Sequence, residues 1–559
     1  MHDRARIVHP RGRRPRWLVG TLLASLTGAL LVGPAVTAQA ETQPAVTVVV
    51  QEASGAGPAV EQAIGRLGGH VDVALPIVDG VAAAVPADRV AALEATPGVV
   101  NVTLNRPVTF SGQYGDSSGV ASAVYSDAVR ASKTWDQGYT GQGIGVAVVD
   151  TGINPVGDLA GRVIGGVDLS GENTNLDSYG HGTFVAGLIA GSGADSDGAV
   201  KGVAPNVNLI SVKIAGADGS TDLVHLIAGL DFVATTRNIY GTRVLNLSLA
   251  IDSPGSYQND PIDVAVERVW NSGIAVVTAA GNHGSAPGTI SAPGDDPYVI
   301  TAGADDDHTT ATVGDDTLAP FSAVGPTVDG LAKPDLVAPG KSVVSLRAAG
   351  STIDQANPSA RVGTAYFKGS GTSFSSAVTA GVAALVLSRN PALTPNQVKA
   401  RLTGNARNAP LVQPAAARGA GELDAFAATM STDTSAANAG LTPATFFGVS
   451  GADVIPAGSQ WGGSHWGGSS WGGSSWGGSS WGGSSWGDLL WLGSSWGGSS
   501  WGGSSWGGSS WGGFLWLGSS WGGSSWGGSS WGGSSWGGSS WGGSQWAGSS
   551  WADASWGDS

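Results

Sequence analysis

Gly145-Val146-Ala147-Val148-Val149-Asp150-Thr151-Gly152 is the stretch that decides the fold. A continuous apolar run, with no polar alternation, fits a β-strand buried on both faces. It ends on a carboxylate that a dry strand end cannot hold without a partner. Runs of the same kind recur at 209–214 (LISVKI), 244–249 (VLNLSL) and 273–280 (GIAVVTAA), with helix-like segments between them. The pattern predicts an α/β domain over residues 120–430, with a central parallel sheet covered on both faces, hence three layers. In such sheets functional groups gather at the carboxyl ends of the strands.

Two further motifs fall where that rule puts them. His181-Gly182-Thr183 opens an apolar helix, FVAGLIAG, and Gly371-Thr372-Ser373 precedes a helix of small residues, SSAVTAGVAALVLSR. Ser373 would stand exposed on a tight turn at a helix N-terminus. A serine hydroxyl is a weak nucleophile at neutral pH and needs a base within hydrogen-bond reach. His181 is the natural base. Asp150 would fix its tautomer and stabilise the imidazolium. Asn282, in Ala279-Ala280-Gly281-Asn282, follows a strand end and offers an amide donor. That amide and the Ser373 backbone N–H would hold a developing oxyanion.

DTGI, HGT, AAGN and GTS, in this order, resemble the signature of the subtilases, the subtilisin-like serine proteases of the peptidase S8 family. GVAP (202–205), NLSL (246–249), FSAVGP (321–326) and KPDLVAPG (333–340) resemble framework segments of the same family. The resemblance implies a secreted serine endopeptidase of subtilisin-like fold, acting on proteins and peptides and needing no cofactor for its chemistry. Substrate would lie as an added strand between Ser248-Leu249-Ala250 and a stretch near 210–220. The S1 pocket would be walled by Ser248, Leu249 and Ala250 and by Ala279, Ala280 and Gly281. A large apolar P1 residue and broad specificity with little P1 preference both fit those small walls. Three positions depart from the family pattern: Phe184 replaces a second histidine, Phe374 a methionine and Ala377 a proline. The resemblance also implies structural Ca2+. Asp195 and Asp197, and the run Asp305-Asp306-Asp307, are acidic loops that could supply oxygen ligands, against the alternative of solvated acidic loops.

Upstream, residues 1–40 read as a secretory signal peptide. Arg4, Arg6, Arg11, Arg13, Arg14 and Arg16 precede an apolar stretch, and Ala38-Gln39-Ala40 is a small-x-small cleavage site. A retained membrane anchor is the alternative. Residues 41–109 give strand and helix patterns in the order β-α-β-β-α-β, a split βαβ layout. Its place between a leader and a protease-like domain is similar to the inhibitory propeptides of subtilases, which implies that the chain's own propeptide is an intramolecular inhibitor and folding aid, cut off near residues 106–122.

The whole chain has 559 residues, a net charge of −15 and no cysteine. Disulfides, thiolate metal sites and a cysteine nucleophile are excluded. An acidic chain is a poor nucleic-acid binder, so no nucleic-acid partner is expected. Residues 431–458 read as a linker. From 459 to 559 runs a WGGSS pentapeptide repeat with Trp at every fifth position and no Lys or Arg. Five residues per step puts no single Trp stripe on a helix or strand. A Gly/Ser chain carrying aromatic contacts, a coil with one repeat per side, and repeat expansion without selected structure all fit. Trp rings stack on sugars, so cell-wall or polysaccharide contact is one function for this tail. A surface-binding protein working mainly through the tail is the rival to the protease. An inactive subtilase scaffold is a third reading, against which the intact Asp150, His181, Ser373 and Asn282 stand.

Overall fold

The computed structural model describes residues 44–110, 112–115, 124–252 and 255–446, with short strand segments between 449 and 552. The expected leader, 1–40, lies outside the described residues.

Alternating burial builds the first layer. β1 (Ala45–Glu52), α1 (Gly57–Arg66), β2 (His70–Leu75), β3 (Gly80–Pro86), α2 (Val90–Glu94) and β4 (Val99–Leu104) follow the β-α-β-β-α-β order. They form an antiparallel sheet of order β2-β3-β1-β4. One face packs Val48, Val50, Val81, Ala83 and Val85 against Val60, Ile64 and Leu93 of its own helices. The opposite face, with Val49, Leu75, Ile77, Val78 and Ala82, joins the core of the larger domain. This is the period-2 alternation of a sheet buried on both sides by different partners.

β5 (Pro107–Val108) and β6 (Gln113–Tyr114) carry the chain onward to α3 (Val124–Ala128) and α4 (Ala131–Trp135). The central sheet uses β7 (Gly145–Asp150), β8 (Val163–Asp168), β9 (Asn208–Lys213), β11 (Thr242–Leu247), β12 (Ala275–Ala279), β13 (Ile300–Asp306), β14 (Thr317–Leu318) and β15 (Leu336–Pro339). Its path is β14-β13-β12-β11-β7-β9-β8, with β15 also on β13. Every pairing is parallel except β13 with β14. β7 is buried along its whole length, as its unbroken apolar run requires. Between these strands lie α5 (His181–Ala190), β10 (Thr221–Asp222), α6 (Leu223–Tyr240) and α7 (Pro261–Asn271). A small sheet of β16 (Val343–Leu346), β17 (Arg361–Val362), β18 (Tyr366–Ser370) and β6 precedes the long buried helix α9 (Thr372–Arg389), with the short α8 (Thr352–Ala356) before β17.

The first part of the expected linker packs on this domain. Thr442 and Leu441 carbonyls accept from the Tyr257 and Tyr298 hydroxyls, and the Ala444 N–H donates to Glu267. In the repeat, described segments pair in parallel with Trp opposite Trp. Trp481 faces Trp506 and Trp491 faces Trp516, twenty-five residues on; Trp516 faces Trp536 and Trp531 faces Trp551, twenty residues on.

Candidate active site

β7 delivers Asp150 to the carboxyl end of the central sheet, and the turn after it meets the start of α5. His181 Nδ1 lies 2.8 Å and 3.0 Å from the two Asp150 carboxylate oxygens, and both side chains are fully buried. Gly182 has to be glycine here: a Cβ on it would sit 2.2 Å from the Gly152 carbonyl oxygen. The approach that the glycine permits brings the histidine to the strand end.

Two residues outside the motif reading hold this junction. Asp177, buried at 2% exposure, accepts from the Thr151 hydroxyl (2.7 Å), the Gly180 N–H (2.6 Å) and the Thr183 N–H (2.7 Å). Burial raises its carboxyl pKa above the ordinary value, while those donors pull it back. Thr151 in turn accepts from the Gly182 N–H. Lys213, at the end of β9 and fully buried, donates to the Thr151 and Leu176 carbonyls and pairs with Glu172 at 3.0 Å. A polar residue in an otherwise apolar run, such as Lys213 in LISVKI, was the available signal for the second. Asp177 lies in a polar loop with nothing in the sequence to mark it.

Ser373 sits in the first turn of α9, at 1% exposure. Its hydroxyl donates to the Ser248 carbonyl at 3.1 Å. Ser248 Oγ bonds the Ser373 carbonyl (2.6 Å) and Ser376 (2.9 Å), and takes the Asn246 amide (2.8 Å). Asn282 is pinned through Oδ1, which accepts from both the N–H and the hydroxyl of Thr372 at 2.9 Å. Its Nδ2 is thereby the donor end of a fixed amide, one residue from Ser373. Nε2 of His181 is buried without a hydrogen-bond partner among the described residues. Asp150 and His181 thus meet at the end of β7 and the start of α5. Asn282 meets the start of α9 at Thr372, next to Ser373, and Phe374 on the other side of Ser373 brings its ring to 5.8 Å from that of His181.

The cleft is lined by chain from the residue's own N-terminal side. Pro107 and Val108 pair antiparallel with Thr221 and Asp222, just beyond the 210–220 stretch expected for that edge. Thr109 exchanges both backbone hydrogen bonds with Ala250, at 2.9 and 3.0 Å. The Phe110 ring stands 5.5 Å from the His181 ring. Beyond residue 111, which lies outside the described residues, Gln113 and Tyr114 pair with Ser370 and Gly369. Ala279, Ala280 and Gly281 are buried next to the Asn282 turn, and Gly281, at φ +108, abuts Ser291 where a Cβ would come within 2.5 Å of its hydroxyl.

The departures from the family pattern touch one another. Phe184 and Phe374 pack with ring centroids 4.4 Å apart and planes tilted by 39°, and Phe374 lies 5.8 Å from the His181 ring. Ala377 is buried inside α9. Asp195 and Asp197 are both exposed. Of the run 305–307, Asp305 converges with Asp316 and Glu422, whereas Asp306 pairs with Lys341 at 2.5 Å.

The subtilase family profile matches residues 141–433, more than half of the chain. The chain belongs to the subtilase family. This subtilase is 46% identical over 269 residues to serine protease AprX of Bacillus subtilis (strain 168), covering 47% of the present chain and 61% of that protein. It is 36% identical over 284 residues to subtilisin DY of Bacillus licheniformis, covering 50% of the present chain and 89% of that protein. Alkaline elastase YaB of Bacillus sp. (strain YaB) matches at 35% over 281 residues, 50% of the present chain and 64% of that one. The subtilase thus spans less than two thirds of AprX and of YaB, and most of subtilisin DY.

Proposed function

We propose that this chain is a secreted serine endopeptidase that matures by cutting itself. The observation that carries the reading is the pairing of residues 107–109 and 113–114 with segments around the site, as a peptide substrate would pair. An extended segment adding a strand to two enzyme edges is a recurrent mode of peptide recognition, with the main chain giving affinity. In this reading Ser373 Oγ attacks the carbonyl carbon, His181 takes its proton and passes it to the leaving amine, and Asp150 holds the imidazole. Oxygen charge builds up against the Asn282 amide and the Ser373 N–H. A donor of that kind contributes about 3 kcal/mol, a magnitude from a subtilisin. The Ser373 hydroxyl bonds Ser248 here, and such bonds commonly turn to the base only in the reacting complex.

The register supports a cut close to Phe110. Thr109 lies opposite Ala250 and Phe110 beside the His181 ring, so the described chain reaches the site at Phe110. In this reading the cut lies just beyond it, at 110–112 within the 106–122 span. Residues 41–109 then act as the inhibitor that occupies the cleft until removed. Secretion rests on the leader motif of residues 1–40. Among the described residues no helix is long and apolar enough to cross a membrane.

The test is to express the full chain beside Ser373→Ala and find each N-terminus by mass spectrometry. The parent should begin at 111 or 112 and hydrolyse peptides. The variant should stay uncut and inactive. A Ser373→Ala protein, made free of other proteases, that still matures would overturn self-cleavage, and one that still hydrolyses peptides would overturn the mechanism.

A further inference from the structure

Away from the cleft, three carboxylates from distant parts of the chain meet in the interior. Asp305 is the last residue but one of β13, Asp316 precedes β14, and Glu422 lies in a segment that runs parallel to β15, bridged to Val337. One oxygen of each lies within 4.8 Å of the others. Their exposures are 0%, 1% and 0%. Neither carboxylate oxygen of Asp305 has a hydrogen-bond partner among the described residues, and Oδ1 of Asp316 and Oε2 of Glu422 meet no donor other than each other's carboxyl group. A buried carboxylate without donors is among the most unfavourable groups a fold can contain.

The charges nearby do not settle it. Arg407 donates to Glu422 Oε1 at 2.7 Å, and Arg130 pairs with Asp424. Those two pairs are neutral. Asp305 and Asp316 remain, and no salt bridge reaches either of them among the described residues, so the pocket carries two uncompensated negative charges when both are ionised.

We propose that Asp305, Asp316 and Glu422 form a binding site for one divalent cation, of which Ca2+ is the best fit. All donors are hard oxygens, with no His or Cys in the group. Oxygens separated by up to 4.8 Å suit a shared ion with bonds of about 2.3–2.6 Å. Mg2+ keeps several waters and needs near-octahedral geometry, which a closed carboxylate pocket suits less well. The charge of +2 matches the two carboxylates left over. The ion would tie the segment around Glu422 to the edge of the central sheet, so it would govern stability and not the chemistry at Ser373.

The experiment uses the full chain carrying Ser373→Ala, so that autolysis is absent. Metal is stripped with EDTA, Ca2+ is added back, and bound metal is counted by plasma mass spectrometry in this parent, in Asp305→Asn and in Asp316→Asn. The parent should hold one more Ca2+ per chain than either variant, and its Tm should fall by roughly 5 °C in EDTA. Hydrogen exchange in the parent alone is the second measurement, and it does not depend on the variants folding. Ca2+ should slow exchange in peptides covering 305–318 and 405–424. Equal metal content in parent and variants, or exchange in both peptides that ignores Ca2+, would overturn the site and leave shared protons as what neutralises the cluster.

Discussion

If residues 41–109 are a propeptide, as proposed, Arg268 should hold that segment in place. It lies on α7 at 3% exposure, and its Nη1 donates to the Ile77 carbonyl at 2.8 Å. Its Nη2 donates to Asp79 at 2.6 Å. Ile77 and Val78 are fully buried where this turn enters between α6 and α7. Asp231 of α6 accepts from the Ile77 N–H, so one propeptide residue is gripped by both its backbone groups. A hydrogen bond from a charged donor contributes about 1.5–3 kcal/mol. The Asp79 side chain is 47% exposed, so that ion pair adds no more than about 0.5 kcal/mol after screening. Arg268→Ala should therefore weaken the propeptide by about 2–3 kcal/mol, or roughly 30- to 150-fold in Ki. Asp79→Asn should change Ki less than about threefold. The assay separates the two products of self-cleavage and titrates the released propeptide back against peptide hydrolysis. A Ki for Arg268→Ala within threefold of the parent would refute the reasoning, and so would an equal loss in Asp79→Asn.

Proton linkage adds a second readout on the same pair. Burial raises Asp231 to about 7, against opposing contributions from the Ile77 N–H and from Arg268. Departure of the propeptide opens this carboxyl to water and returns it toward about 4. The bound state then holds a proton that the free state lacks. This contribution to binding is fully present below about pH 4 and is lost as pH rises through about 7. Binding measured on Ser373→Ala fragments should accordingly weaken between pH 5 and 8, and in Asp231→Asn that slope should flatten.

Two further outcomes are expected. Asp177→Ala strands three donors at the junction of β7 and α5, so kcat should fall roughly 100-fold with KM little changed, as small misplacements of catalytic groups do; a kcat within threefold of the parent would show that His181 is placed by other contacts. Truncation after residue 450, beyond the packed Thr442–Ala444 segment, should leave kcat/KM on a short peptide within a few-fold while lowering retention on peptidoglycan or cellulose, because many weak Trp contacts on one chain act through avidity; equal retention would remove polysaccharide contact as the role of the tail.

The fold was legible where one residue type had to satisfy one local rule. The unbroken run ending at Asp150 reads as a strand buried on both faces, and the β-branched run at 46–50 reads as a strand of the upstream unit. The placement of the candidate site was legible for the same reason: Asp150, His181, Ser373 and Asn282 each stand at or just beyond a strand end or helix start that the pattern itself announces. Asp177 was not, because it lies in a polar loop with nothing to mark it; Lys213 was marked only by its polarity in an apolar run, and Glu422 finds its neighbours only through the fold. Glu422 meets Asp305 and Asp316 across more than a hundred residues. The run Asp305-Asp306-Asp307 attracted attention as a unit, but a strand sends neighbouring side chains to opposite faces, so Asp305 turns inward to the carboxylate group while Asp306 meets Lys341.

Phe184 and Phe374 carry the same lesson into the active site. Taken one at a time, each loses a family residue: a second histidine after HGT, and a methionine after GTS. In the fold they are a single change, since the two rings fill one space between α5 and α9 at 4.4 Å. Tyr114 closes the cluster, 6.0 Å from each ring, and its strand β6 is bonded to β18 on the side of the cleft that a cut at 110–112 would leave attached. The aromatic block backs the His181 ring, with Phe374 5.8 Å from it, and the proposed cut would leave that block intact. A histidine at 184 would bring a polar ring against the Phe374 and Tyr114 rings, and a methionine at 374 would give up the ring contacts that Phe374 makes with Phe184 and Tyr114. The two substitutions stabilise each other through shared contact and not through any catalytic group, so the residues that hold the imidazole can change in concert while the chemistry they support stays fixed.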